Sequence, residues 1–141
     1  MKTHPFALLC LLSIALLVAG CGHLDTTPAP TGDRVLNGSL NFRPVAPLPT
    51  DAVATVRLLD ESRPDQPAQV LAEQTLSGAG TPPLAFKLDY KAEDIQPPKR
   101  VRIEARVSSG SKLFFYTATA HAVTPANAES PFVLWLDTAR R

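Results

Sequence analysis

The chain has 141 residues, with 14 Lys and Arg against 13 Asp and Glu and a formal charge of +1. That length holds about one domain. The balanced charge gives no basic footprint for nucleic acid and no broad steering field.

Lys2 and His4 form a short, weakly basic start, and Ala7 to Val18 is apolar apart from Ser13. A bilayer span needs about 20 such residues, so this shorter run fits the apolar region of an export signal. It ends in Val18-Ala19-Gly20-Cys21, an aliphatic residue, two small ones and a cysteine. That order is a lipobox, in which the thiol after the cut accepts a diacylglycerol. Residues 1–20 are read as a lipoprotein signal peptide and Cys21 as the lipidation site. An ordinary secretory cut would instead leave Cys21 as a lone thiol, because Cys10 departs with the signal and no intramolecular disulfide remains. Two or more acyl chains anchor a protein firmly. Gly22, in place of an aspartate, follows Cys21 and favours the outer membrane, facing the periplasm.

Residues 21–33 contain Pro28, Pro30 and Gly32 with no apolar period, and read as a lipidated flexible tether. Residues 34–141 read as a β-sandwich domain. Val35 to Phe42 is the first strand, with Gly38 a bulge or close approach. Pro44, Pro47 and Pro49 end it. Val53 to Leu59 and Gln69 to Leu76 follow, separated by the turn-rich loop Asp60 to Asp65. Leu84, Phe86, Leu88 and Tyr90 alternate with Ala85, Lys87 and Asp89; Val101, Ile103, Ala105 and Val107 alternate with Arg102, Glu104 and Arg106. Period-two alternation places one face in a core and one in water. Ala92 to Ile95 is long enough for a single helical turn. Ser109-Gly110 is a hairpin turn into a sixth strand, Lys112 to Ala120, and Phe132 to Asp137 is a seventh. About seven short strands and almost no helix define an all-β, antiparallel two-sheet sandwich, with a small barrel as the alternative.

The pattern offers no catalytic set and no cofactor or metal site. After signal removal His23 and His121 stand far apart, and no nucleophile motif or phosphate loop occurs. Asp60, Ser62 and Asp65 are too few oxygens for calcium and read as a loop bonded to its own backbone. Asp89, Glu93 and Asp94 read as a solvated strand end. Arg100, Arg102, Glu104 and Arg106 read as a solvent face rather than a reader of anions. The last two strands differ, because both parities are apolar. With Phe132, Leu134 and Leu136 inward, Val133 and Trp135 face out; if the two strands adjoin, Phe114 and Tyr116 join them in a partner-binding patch.

Leu48-Pro49-x-x-Ala52, Val56-x-Leu58-x-Asp60-x-Ser62-x-x-Asp65, Pro83-x-x-Phe86-x-Leu88-x-Tyr90, Asp94-Ile95 and Ile103-x-Ala105-x-Val107 through Gly110-x-x-Leu113-x-Phe115 occur in that order. In this respect the chain resembles the YbaY/YscW family of small bacterial lipoproteins. The resemblance implies a β-sandwich. For the YscW branch it implies a pilotin, a lipoprotein chaperone that binds secretin subunits and guides them to the outer membrane for type III secretion. The long connection Ala92 to Pro97 is closer to the YbaY branch. The function expected is binding of a secretin-like envelope protein, without catalysis. The alternative is a periplasmic glycan or lipid binder or a structural lipoprotein. Cys21→Ala is expected to abolish palmitate labelling and move the protein from the membrane fraction to the soluble periplasm. Unchanged membrane retention would remove the lipobox reading.

Overall fold

The computed structural model describes residues 32–140. The expected signal peptide, Cys21 and most of the expected tether lie outside the described residues. The strands are β1 (Arg34–Asn41), β2 (Val53–Asp60), β3 (Gln69–Ser77), β4 (Leu84–Tyr90), β5 (Val101–Ser109), β6 (Lys112–Tyr116), β7 (His121–Val123), β8 (Phe132–Trp135) and β9 (Asp137–Thr138), with a 3-10 turn at Ala92–Ile95. They form a three-stranded sheet, β4-β1-β8, and a larger one, β3-β2-β5-β6-β9, to which β7 adds by pairing with β5. Neither sheet closes into a barrel, so the sandwich holds.

The alternating strands behave as their spacing predicts. Ala54, Val56 and Leu58 of β2, Phe86, Leu88 and Tyr90 of β4, and Val101, Ile103, Ala105 and Val107 of β5 are all buried. They meet Leu36 and Leu40 of β1 and Leu134 of β8 in one core. Phe42 and Phe115 join the two sheets, with ring centroids 4.8 Å apart. Along one flank the sheets are linked by a side chain. Gln74 of β3 accepts the Lys87 N–H of edge strand β4 through its Oε1 at 2.7 Å, so part of that edge is covered. The hairpin turn falls at Gly110, whose φ of 54° is open to glycine.

Two strands differ from expectation. The sixth ends at Tyr116 rather than Ala120. Thr117 still donates its N–H to the Ala105 carbonyl (3.0 Å), but the Ala105 N–H is taken by the Thr117 hydroxyl oxygen (3.1 Å) in place of a carbonyl. The chain then leaves the ladder and returns at His121, opposite Ile103. A local side-chain bond has replaced a sheet bond. The seventh strand divides. β8 runs parallel to β1 in the small sheet, while β9 runs antiparallel to β6 in the large one. Leu136 is the corner between them.

Gly38 is a close approach, not a bulge. A Cβ there would lie 2.4 Å from the Phe132 carbonyl oxygen and 2.4 Å from the Phe86 ring. Gly38→Ala is expected to destabilise the domain by about 1–3 kcal/mol, the usual cost of overpacking a filled core. A urea unfolding midpoint equal to that of wild type would contradict this packing.

Candidate surface at the sheet corner

The last strand fixes the exposed apolar surface. Leu134 and Leu136 are buried, so the intervening parity points out, leaving Val133 56% and Trp135 57% exposed. Both lie on the outer face of the small sheet. Trp135 stands opposite Asn41, and the Arg43 guanidinium lies 5.7 Å from its ring centroid.

Phe114 and Tyr116 belong to the large sheet, so the four expected residues do not share one sheet face. Backbone pairing brings Tyr116 opposite Asp137, two residues beyond Trp135, at the corner between the sheets. Tyr116 is exposed. Phe114 is half-buried because the ladder slips there: Ser108 pairs with Leu113 and Val107 with Phe115, leaving Phe114 as the extra residue of a bulge. Bulges re-aim side chains in this way. The Phe114 carbonyl accepts the Ala139 N–H at 2.8 Å, which ties the bulge to the chain after β9.

Phe114 turns into a groove of about 360 Å³. One wall is the segment Pro44 to Leu48, and the other is Lys112 to Phe115, with Thr138 and Ala139 at the end. The prolines that stop β1 thus also build a wall. Val45 stands fully exposed on it and Leu113 is exposed opposite. Val45, Leu113 and the flanking Arg43 and Lys112 were missed from sequence. The signal available was Val45 and Leu48 spaced among prolines, a run with apolar side chains and no sheet partner. Lys112 holds its ammonium 5.0 Å from the Phe114 ring centroid.

A second concavity, of about 350 Å³, lies between Glu61, the start of β5 and Ala120 to Thr124. Its Arg102 is committed, bonding Glu61 at 2.5 Å and Glu104 at 3.1 Å. Burial pushes the Arg102 pKa down, but the bonds and charges of Glu61 and Glu104 outweigh it and raise the value. Arg106 also faces Glu104, at 3.7 Å, and Arg57 meets Glu73 at 2.5 Å. The charged stripe is therefore an internally compensated outer sheet face.

The architecture is thus an open two-sheet sandwich with a groove, largely apolar, beside the corner between the sheets. The chain matches the family described as Type III secretion system lipoprotein chaperone (YscW) over residues 32–136, and it belongs to that family. It is 31% identical over 129 aligned positions to the uncharacterized lipoprotein YbaY of Escherichia coli strain K12, covering 79% of this chain and 68% of that one. An alternative pilotin from the type II secretion system of Vibrio cholerae has a similar solved structure. Its TM-score is 0.66 at 33% identity, covering 77% of this chain and 98% of that one.

The loop after β2 is held by its own bonds. Asp60 Oδ1 accepts the Ser62 N–H at 2.8 Å and the Ser62 hydroxyl, while Ser62 Oγ accepts the Arg100 N–H at 2.9 Å. The Ser62 hydroxyl bond is the main cause holding the Asp60 carboxyl below its ordinary range, against a smaller opposing effect of burial. A carboxylate with a lowered folded pKa stabilises the fold fully above the ordinary aspartate range. That contribution is lost as pH falls through the lowered value. Asp60→Asn is expected to flatten this part of the acid limb, read as the urea midpoint against pH. An unchanged acid limb would show that Asp60 does not contribute to it.

Proposed function

We propose that this chain is a lipoprotein anchored through Cys21 in the outer membrane, facing the periplasm. Its domain binds an envelope protein in a pilotin-like chaperone role and carries no catalytic activity of its own. The observation that carries the reading is where the exposed apolar side chains lie. Val35 and Val70 lie apart, but Val45, Leu113, Tyr116, Val133 and Trp135 come from segments that meet around the β8–β9 corner. An apolar concentration of this kind is costly in water and marks an interaction surface. Trp and Tyr are frequent binding anchors. Family membership and the likeness to a type II pilotin support a secretin-like partner.

Phe114, Tyr116, Val133 and Trp135 are the proposed contact residues, with the groove beside Phe114 as the socket. Trp135→Ala is expected to lower partner recovery in an in-cell crosslinking pull-down about tenfold or more, the scale of a hot-spot anchor. The same change is expected to shift unfolding by less than about 0.5 kcal/mol, because the ring is exposed. Recovery unchanged from wild type would remove Trp135 from the interface and favour a glycan or lipid ligand instead.

A further inference from the structure

We infer that the segment received at this corner is acidic as well as apolar, and that Arg43 and Lys112 meet its carboxylates. The inference rests on the docking reading above and specifies the partner's chemistry.

Among the described residues, Arg34, Arg57, Lys99, Arg102 and Arg106 each have a carboxylate within ion-pair distance. Arg63, Lys87, Lys91 and Arg100 elsewhere have none; at the corner Arg43 and Lys112 have none either. Each lies over an aromatic ring instead, Arg43 on Trp135 and Lys112 on Phe114. Arg140, next to the groove residue Ala139, has no ion pair among the described residues. Of the acids close by, Asp51 is engaged by the Ser109 hydroxyl at 2.8 Å, and Asp137 is exposed on β9. Asp51 and Asp137 keep their negative charges, and what sets Arg43 and Lys112 apart from the other cations without an ion pair is that each stands on an aromatic ring of the proposed contact patch.

A cation held on a ring face is kept at the rim rather than swinging free, with its N–H donors still available. A carboxylate arriving there gains a charge-assisted hydrogen bond and adds to the aromatic contact without stripping a new ion of all its water. The match is to an apolar segment flanked by Asp or Glu.

The test is photo-crosslinking in intact envelopes with p-benzoylphenylalanine at the exposed Val45 position of the full-length lipoprotein. It compares the otherwise wild-type chain with Arg43→Glu/Lys112→Glu and with Arg43→Gln/Lys112→Gln. Thermal unfolding of each variant verifies the fold. The expected result is a protein adduct whose mapped segment is apolar and acid-flanked. Its yield should fall about tenfold on charge reversal and less on neutralisation. An adduct of equal yield in all three chains, or one mapping to a segment without acids, overturns the inference and leaves the docking reading standing. A dimer of this chain, a link to its own tether, or a lipid-only adduct overturns both. So does the absence of any adduct.

Discussion

At Leu136 the chain leaves one sheet for the other. Its N–H donates to the Asn41 carbonyl at 2.8 Å and its side chain is buried. That bond ends the parallel pairing with β1, and the next two residues pair with Tyr116 and Phe115. With Leu134 and Leu136 both committed to the core, Trp135 between them has no inward option. The exposed tryptophan is thus a consequence of how the sandwich turns its corner, as strands that switch sheets commonly do. The groove shares the cause, because β9 and Ala139 close its end against the Phe114 bulge.

The regular part of the fold was legible because each strand there obeys one parity. Val56, Phe86 and Ile103 lie where alternation puts them, and Ser109-Gly110 turns as its composition requires. The irregular part was not legible, because its signals are single bonds. Nothing in Lys112 to Ala120 distinguishes a strand residue from Thr117, whose hydroxyl takes an Ala105 N–H. The β1–β8 pairing joins the first and penultimate strands in parallel, a contact across most of the chain that no local pattern encodes. The patch residues were half legible. Val133 and Trp135 follow from parity, whereas the orientation of Phe114 depends on a bulge and the groove wall depends on a proline segment that pairs with nothing.

Charge is distributed unevenly over the two outer faces. Across the large sheet, Glu73, Arg57 and Glu104 stand opposite one another in register, so neighbouring strands present opposite signs. Such cross-strand pairs each contribute modestly. They matter more for Glu104, which is 9% exposed and would be costly if unpaired. Arg102 and Arg106 supply its compensation. On this face arginines and carboxylates answer each other, whereas Arg43 and Lys112 at the corner stand over aromatic rings.

The two ends of the sandwich also differ in how the chain meets them. Asp33 accepts the Ala92 N–H through Oδ1 at 2.9 Å, and a Cβ on Gly32 would lie 2.1 Å from the Tyr90 carbonyl oxygen. The chain therefore enters the domain held against the end of β4. From there β1 runs eight residues to Asn41, beside Trp135. At about 3.3 Å per residue, the corner lies roughly 23 Å from the point where the tether joins. Under the proposed anchoring through Cys21 the membrane side is the Arg34 end, and pairing along β1 sets the apolar corner at the opposite end of the sandwich.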